Sequence, residues 1–311
     1  MRTTTVDDVL LRDVTLRDGL QLTGKPLPTE RKVQVVRELL AAGVPSIEIG
    51  SMARGDLVPS MANTPEVIEA LTAEELERCW VWVATPRHVA AATERGAVHL
   101  QYCLSASTSH NEANLGRTTE RSLDTMPEAV EIASAAGADV QLCLATTFTC
   151  PFEGLVPPDR IVEIANDPRT RGSVDIVLCD TLGQATPDSV SSLVRRVADE
   201  TPERRMVYHG HDTWGMGVAT TLAAVAGGVQ MVDGALGGLG GCPFAPGASG
   251  NTSSEDLLFA LQPEWLDPET FHRLVRLSDG LLAELGEPGR SRAVQGAHSE
   301  AAAFPWVISA G

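Results

Sequence analysis

The chain has 311 residues, a length that suits one (β/α)8 barrel of about 250 residues with additions, or two smaller domains. Hydrophobic residues make up 43% of it and charged residues 21%, which is typical of globular proteins and excludes disordered, collagen-like and coiled-coil chains. The formal net charge of −17 removes the electrostatic attraction behind non-specific binding to nucleic acid and anionic membranes, so we predict neither as a partner.

The hydropathy pattern predicts where the protein resides. No stretch approaches the roughly 20 apolar residues of a transmembrane helix, and the first residues, MRTTTVDDVLLRD, become acidic too early for a secretory signal. We therefore expect a soluble, cytoplasmic protein. Its six cysteines have neither CxxC nor zinc-finger spacing, and in a reducing compartment we expect free thiols.

Short apolar runs alternate with amphipathic stretches along the chain. The apolar runs predict eight strands, at Val9–Val14, Ser46–Gly50, Cys79–Ala84, Val98–Leu104, Asp139–Leu144, Val174–Cys179, Met206–His209 and Gln230–Gly234. The amphipathic stretches predict helices at Thr29–Ala42, Pro65–Leu71, Pro86–Arg95, Asp124–Ala136, Pro158–Asn166, Pro187–Asp199 and Trp214–Ala226. Several begin with Thr-Pro or Thr-Glu and others end at glycine, which are common helix boundaries.

Eight such repeats predict an α/β fold, a (β/α)8 TIM barrel. Continuously apolar strands between helices indicate a parallel sheet buried on both faces, and eight of them favour a closed barrel over an open doubly wound sheet. The first strand-to-helix junction also lacks the GxGxxG pattern of dinucleotide-binding folds. We expect a single catalytic domain over residues 1–311, with residues 254–311 forming a C-terminal helical extension from the patterns Ser254–Leu261 and Glu269–Leu285.

Polar residues lie at the ends of the predicted strands or in the segments that follow them, where TIM barrels place their active sites. They are Arg17, Asp18, Glu48, Asp180, His209, His211 and Asn251. His209 and His211 are two residues apart on a strand, so both side chains can enter the barrel mouth together. With Asp18 and Asn251 nearby they predict a site for Mg²⁺ or Mn²⁺, or for Zn²⁺, rather than a structural thiolate zinc site. The alternative is a pair of hydrogen-bonded core histidines.

Three charged residues near the predicted mouth have two interpretations each. Arg17 could stabilise a developing enolate or carboxylate oxygen, or form a surface ion pair with its neighbour Asp18. Asp13 and Glu48 could act as supporting carboxylates or bases, or as helix caps and salt-bridge partners.

Residues 237–247 contain too many glycines for a helix or a strand, and indicate a flexible loop over the active site. The loop includes Gly240, Gly241 and Cys242, and the thiol is a candidate proton donor. The alternatives are an inert buried thiol and a phosphate-binding loop, although no P-loop or dinucleotide pattern is present. Cys150 follows the fifth strand and could lie close to the site.

Several segments resemble 3-hydroxy-3-methylglutaryl-CoA lyase, a member of the metal-dependent TIM-barrel superfamily that also contains isopropylmalate, homocitrate and citramalate synthases. The matching segments are LRDGLQ (16–21), AGVPSIEIGS (42–51), CDTLGQATP (179–187), GHDTWGMGVA (210–219) and GGLGGCPFAPGASGN (237–251). The glycine–cysteine loop is typical of the lyases. Departures from the lyase pattern, at Leu16, Leu22, Thr23 and Met52 and in a synthase-like His110, affect the substrate and not the metal site.

The resemblance implies roles for individual residues. Asp18, His209, His211 and Asn251 would be metal ligands, Arg17 would polarise the thioester carbonyl and its enolate, and Cys242 would lie near the proton-transfer step. Glu48 and Asp180 would be active-site carboxylates and Glu255 a supporting acid. Gln21 would contact substrate together with Arg17 and Glu48.

We therefore expect a divalent-metal-dependent carbon–carbon lyase that cleaves a tertiary 3-hydroxyacyl-CoA, such as 3-hydroxy-3-methylglutaryl-CoA, to acetyl-CoA and a keto acid. One alternative is an enzyme that condenses an acyl-CoA with a 2-oxo acid through the same enolate. Another is a non-catalytic binding barrel. The expected partners are a small acyl-CoA or keto-acid substrate and a second copy of the chain, as a homo-oligomer and in the first place a dimer.

Overall fold

A computed structural model describes residues 9–241, 250–301 and 303–308 of the chain. Within them, eight parallel strands close into a barrel: β1 (Leu10–Asp13), β2 (Ser46–Ser51), β3 (Cys79–Val83), β4 (His99–Ser105), β5 (Asp139–Ala145), β8 (Asp175–Asp180), β9 (Arg205–Gly210) and β10 (Met231–Gly234). The intervening β6 (Thr149–Cys150) and β7 (Gly154–Leu155) form a small antiparallel hairpin outside the barrel. The predicted (β/α)8 fold is confirmed, since each strand lies within a residue or two of its predicted bounds.

Helices surround the barrel. They are α1 (Thr29–Ala41), α2 (Thr64–Ala70), α3 (Ala73–Leu76), α4 (Pro86–Thr93), α5 (Thr108–Leu115), α6 (Thr119–Ala135), α7 (Pro158–Asn166), α8 (Pro187–Glu200) and α9 (Gly217–Gly227). After the last strand come α10 (Ser254–Leu261), α11 (Pro268–Leu285) and α12 (Arg292–Ala297). No helix in the described part of the chain is long and apolar enough to cross a membrane.

Two helix boundaries differ from their predictions for local reasons. Helix α6 begins five residues early because the side chain of Thr118 accepts a hydrogen bond from the Arg121 amide and caps it. Helix α9 begins at Gly217 and not at Trp214, because the Asp212 carboxylate accepts a 2.6 Å hydrogen bond from the Gly217 amide. The sequence analysis also missed α5, whose apolar face is too weak to give a helical pattern.

The core has two parts. Apolar side chains from the outer face of the strands pack against the helices in one continuous layer. Inside the barrel, a smaller cluster lies below the mouth; it consists of Cys103, Cys143, Ala145, Val177, Cys179, Val207 and Met231. Five further interior side chains are polar and almost fully buried, namely Arg12, Glu48, Gln101, Gln141 and Asp233. The expectation of continuously apolar strands is therefore wrong for the inner face of the barrel.

Candidate active site

A cavity of about 670 Å³ opens at the carboxyl ends of the barrel strands. Its lining includes Arg17, Asp18, Gln21, His209 and His211, together with Gly241 at the edge of the glycine-rich loop. The structure thus brings together residues from the segment after β1, from the end of β9 and from the loop after β10, as the strand positions predicted. Asn251 lies beside His211, with which it forms an isolated β-bridge.

Asp18, His209 and His211 form a cluster that could hold a metal ion. One potential ligand atom from each lies within 4.8 Å of those of the other two. His209 and His211 alternate with Gly210 at the end of β9, so both imidazoles enter the barrel mouth. The Nε2 atom of His211 is 3.4 Å from Oδ2 of Asp18. Two imidazoles and a carboxylate are a donor set that suits Mn²⁺, Zn²⁺ or Mg²⁺.

Asn251 also supports a metal site, because its side-chain oxygen receives no hydrogen bond from the part of the chain that the structure describes. Its Nδ2 donates to Oδ2 of Asp18 at 2.9 Å and to the Leu239 carbonyl at 2.9 Å. Its Oδ1 is buried and has no hydrogen-bond partner among the described residues. A buried polar atom without a partner costs free energy. A metal ion coordinated by this oxygen would provide the missing partner. The predicted four-residue set therefore fits a divalent cation.

A single turn of π-helix, Thr15–Gly19, places Arg17 and Asp18 at the mouth. The Gly19 amide donates to the Val14 carbonyl at 3.1 Å, which closes the wider turn. All five residues of the turn are buried. π-Turns are rare and occur often at functional sites. From this turn, the neighbouring residues Arg17 and Asp18 both line the cavity.

Arg17 is held between two carboxylates, and the alternative of a surface ion pair is wrong because only 7% of the residue is exposed. Its Nε donates to Oε2 of Glu48 at 2.6 Å and its Nη1 to Oδ1 of Asp18 at 2.5 Å. Gln101 donates to the other oxygen of Glu48 at 2.9 Å. Nη2 of Arg17 has no hydrogen bond to any residue that the structure describes. The guanidinium therefore has a donor left for a ligand in the cavity.

Charge and burial act in opposite directions on these groups. Burial opposes the charged form of Asp18, but the Arg17 guanidinium outweighs it and holds the pKa of Asp18 well below its usual range. Burial raises the pKa of Glu48, against the lowering influence of Arg17. For Arg17, the two carboxylates overcome burial and raise the pKa further. Asp18 is therefore ionised at neutral pH, as a metal ligand must be.

Other predicted residues lie elsewhere around the barrel. The carboxylate of Asp180 accepts hydrogen bonds from the amides of Gln184 and Ala185, each at 3.0 Å, and so holds the loop after β8. Burial raises the pKa of Asp180. The Asp13 carboxylate faces away from the cavity, since it accepts a 2.6 Å hydrogen bond from Ser254 on α10.

Two residues near the glycine-rich loop serve the site indirectly, Glu255 at the start of α10 and Gly240 in the loop itself. Both oxygens of Glu255 accept from the Gly237 amide, at 2.9 and 3.0 Å, so this acid anchors the glycine-rich loop. A Cβ on Gly240 would lie 2.5 Å from Nδ2 of Asn251, and its φ of +118° favours glycine.

Two cysteines that the sequence analysis singled out have different outcomes. Cys150 is buried and its Sγ accepts from the Ser107 hydroxyl at 3.0 Å, a packing and hydrogen-bonding role. Cys242 lies outside the described residues. The five described cysteines are free thiols and buried, as expected.

The sequence analysis missed Arg12 and Asp233. Nδ1 of His209 is 3.0 Å from Oδ2 of Asp233, and Arg12 donates to both oxygens of that carboxylate, at 2.9 and 2.8 Å. The hydrogen bond to Asp233 and the charge of Asp18 raise the pKa of His209 against the lowering influence of burial. One signal was available: Arg12 and Asp233 are charged residues within strands predicted to be buried on both faces.

Comparison with known proteins gives a consistent result. The family model described as HMGL-like matches residues 8–279. The chain is 36% identical to a (R)-citramalyl-CoA lyase of Chloroflexus aurantiacus, over 91% of this chain and 93% of the relative. It is 33% identical to a hydroxymethylglutaryl-CoA lyase of Pseudomonas mevalonii, over 89% and 92%.

Solved structures agree. A hydroxymethylglutaryl-CoA lyase from Pseudomonas aeruginosa superposes with a TM-score of 0.85 at 30% identity, covering 93% of this chain and 97% of that one. An HMG-CoA lyase from Acinetobacter baumannii, in complex with coenzyme A and 3-methylmalate, gives a TM-score of 0.85 at 33% identity, covering 94% and 96%.

The barrel, its cavity and these relatives define an enzyme class: the chain is a carbon–carbon lyase that acts on an acyl-CoA. Within that class it belongs to the HMGL-like family.

Proposed function

We propose that the chain is a divalent-metal-dependent lyase for a tertiary 3-hydroxyacyl-CoA, with acetyl-CoA and a keto acid as products. The observation that carries this proposal is the placement of the Arg17 guanidinium beside the Asp18, His209 and His211 cluster in one cavity. Retro-Claisen cleavage needs a polarised hydroxyl and a stabilised enolate within a few ångströms of each other. A metal-binding cluster next to a guanidinium can supply both.

Asp18, His209, His211 and Asn251 are the residues that would hold the metal. When bound, it would act as a Lewis acid for the substrate hydroxyl and a neighbouring oxygen. The buried, partnerless Oδ1 of Asn251 supports its inclusion as the fourth ligand. The metal we expect is Mg²⁺ or Mn²⁺, with Zn²⁺ as the alternative.

The first chemical step is removal of the proton from the tertiary hydroxyl. Asp18 and His209 are candidate bases because both line the cavity. Asp13, a third candidate from sequence, is excluded because its carboxylate faces Ser254. As the proton leaves, the C2–C3 bond of the substrate breaks, C3 becomes a carbonyl, and the electron pair moves into the thioester as an enolate.

Arg17 would stabilise that enolate. Two of its nitrogens are held by Glu48 and Asp18, which fixes the guanidinium plane before substrate arrives. A fixed donor aimed at a developing negative charge is the arrangement of an oxyanion hole. Protonation at C2 of the enolate then gives acetyl-CoA. We assign this proton transfer to Cys242 from its place in the glycine-rich loop.

The cavity supports a branched substrate with polar groups. Its wall contains Leu22, Met61 and Leu115, which can pack against alkyl groups, and His88 and Arg117, which can contact a carboxylate or phosphate. Since the relatives are named for citramalyl-CoA and hydroxymethylglutaryl-CoA, we propose a 3-hydroxy-3-methyl acyl-CoA with a terminal carboxylate.

A substrate screen tests the function. Purified protein with Mn²⁺, Mg²⁺ or Zn²⁺ is incubated with citramalyl-CoA and with 3-hydroxy-3-methylglutaryl-CoA, and acetyl-CoA formation and free CoA thiol are followed in parallel. We expect metal-dependent release of acetyl-CoA without free thiol. A parallel incubation contains acetyl-CoA and a 2-oxo acid. Free thiol in that incubation, with no cleavage of either acyl-CoA substrate, would instead identify a condensing enzyme.

A further inference from the structure

A row of buried hydrogen bonds leads from His209 into the barrel interior. Nδ1 of His209 pairs with Oδ2 of Asp233, and Nε and Nη2 of Arg12 donate to the two oxygens of Asp233. The exposed fractions of Arg12 and Asp233 are 0% and 1%. The strand register explains the row, since Arg12 of β1 lies opposite Asp233 of β10, which in turn lies opposite His209 of β9.

The same row continues toward the other end of the barrel. Nη1 of Arg12 donates to Oε1 of Gln141 at 2.7 Å, and Nε2 of Gln141 donates to Asp175 at 3.0 Å. Arg205 then donates to both oxygens of Asp175, at 2.7 and 3.0 Å. The Arg12 guanidinium also lies 5.6 Å from the centroid of the Trp80 ring. These contacts hold Arg12 on several sides.

We propose that Arg12 is a positioning residue for the metal site, acting through Asp233 on His209. An imidazole has two nitrogens, and which one faces a metal depends on the hydrogen bond made by the other. The pairing of Nδ1 with Asp233 leaves Nε2 of His209 for the cavity. A carboxylate can rotate about its last bond, and the two parallel hydrogen bonds from Arg12 fix its plane.

This inference rests on the proposed metal site, and a direct measurement of metal binding tests the two separately. The probe is Mn²⁺ alone, titrated into metal-free protein and followed by electron paramagnetic resonance. Arg12→Met removes the paired hydrogen bonds, and we expect the Kd for Mn²⁺ to rise by about tenfold or more, as for other residues that orient a ligand. Arg12→Lys keeps the charge without the planar fork, so its Kd should rise by at least threefold.

Arg204→Met is the matched control. Arg204 is also buried but donates to the backbone carbonyls of Ala165 and Thr170, which are unconnected with His209. We expect this variant to lower the Tm without changing the Kd for Mn²⁺. An increase of less than threefold in the Kd of Arg12→Met overturns the inference. If Arg12→Met does not fold, the same limit applied to Arg12→Lys decides it. Wild-type protein that binds no Mn²⁺ overturns the metal site itself.

Discussion

Arg17 and Asp18 are adjacent in sequence and differ in what they offer a substrate. Asp18 faces the two histidines, whereas Arg17 keeps one nitrogen for the cavity after pairing with Glu48 and Asp18. The close Arg17–Asp18 pair also keeps the carboxylate ionised. At the scale of single residues, the site is therefore a set of charges that hold one another in place, and removal of one should affect a distinct step.

His211 provides the simplest test of the metal site. Replacing His211 by Ala removes one of two imidazoles on the same strand, so we expect the metal content of about one ion per chain to fall sharply and activity with it. Elemental analysis of purified protein is the measurement. His298→Ala is the control, because His298 is an exposed histidine paired with Asp279. Metal content that is unchanged in His211→Ala would remove this residue from the ligand set.

Arg17→Lys separates charge from geometry. Lysine keeps the positive charge but loses the planar fork, in which separate nitrogens donate to Glu48 and Asp18 and a third remains for the cavity. We expect kcat to fall by about 10²-fold or more while metal binding persists, in line with the loss of an oxyanion-type donor. The control is Arg37→Lys, at an exposed arginine that donates to both oxygens of one carboxylate, Glu75. A near-native kcat for Arg17→Lys would show that the Arg17 guanidinium does not stabilise the transition state.

Cys242→Ser tests whether cleavage ends in a proton transfer from the loop. A hydroxyl is a far weaker acid than a thiol, so we expect a severe loss of kcat with metal binding and substrate affinity retained. Bound substrate should also protect the wild type against thiol reagents. A kcat within about threefold of wild type, well under 1 kcal/mol in barrier height, would contradict this role and favour the condensing reaction.

At the scale of elements, the segment after β10 connects the loop to the metal site. Glu255 at the start of α10 binds the Gly237 amide, and Asn251 reaches the Leu239 carbonyl. Gly240 passes so close to Asn251 that a side chain has no room. The short 3₁₀ turn Leu236–Gly238 is thus held from both sides. Loop position and ligand position should therefore change together.

Gly240→Ala should displace the proposed metal ligand Asn251 without changing any of the functional groups that would bind the metal. The new Cβ would stand 2.5 Å from Nδ2 of Asn251 and the residue would keep an unfavourable φ of +118°. We expect weaker Mn²⁺ binding and a lower kcat, measured by titration and initial rates. Gly280→Ala is the matched control: it lies in α11, where no atom is within 4 Å of an added Cβ, and should stabilise the helix by up to about 1 kcal/mol. Equal Mn²⁺ affinity in both variants would show that the segment can move aside.

At the scale of the whole molecule, the barrel encloses charged groups as well as apolar ones. Arg12 pairs with Asp233 and Glu48 pairs with Arg17. The buried amide side chains of Gln141 and Gln101 also bind Arg12 and Glu48. Burial of ions costs free energy, and loss of one partner leaves the other charge buried without compensation. The barrel therefore depends on pairs that join distant strands, and its stability depends on the protonation of buried acids.

Glu255 gives a pH dependence with a definite sign. Burial raises the pKa of this residue to about 7 from an ordinary value of 4.5. The folded state therefore binds more protons than the unfolded state between these values, and stability falls as pH rises through the window. At about 1.4 kcal/mol per pKa unit, the loss from this one group is up to about 3 kcal/mol.

The measurement compares wild type with Glu255→Gln by urea unfolding of metal-free protein at pH 4.5 and pH 8. Glutamine keeps an acceptor for the Gly237 amide but does not titrate. We expect the variant to gain stability relative to wild type at the higher pH. A difference between the two proteins that is the same at both pH values would contradict the assigned shift.

The sequence determined the architecture and much of the site. Strand and helix periods are local properties, and the Thr and Gly signals at helix ends act within a few residues, so eight strands and most helices could be predicted. The same holds for His209 and His211, since two residues on one strand face the same way. Barrel topology then placed Asp18 and Asn251 near them.

Only the tertiary structure decided the partners of the buried polar groups. Arg12 and Asp233 are separated by 221 residues, and nothing local to either identifies the other. The π-turn that carries Arg17 and Asp18 is likewise held by distant partners, since Thr15 accepts from the Leu236 amide and Arg17 donates to Glu48. Asp13 and Asp180 end strands β1 and β8, close to the mouth as Asp18 is, yet their carboxylates bind helix and loop groups. The side chain of a strand-end residue is directed by the three-dimensional arrangement of its acceptors and donors, which sequence spacing does not contain.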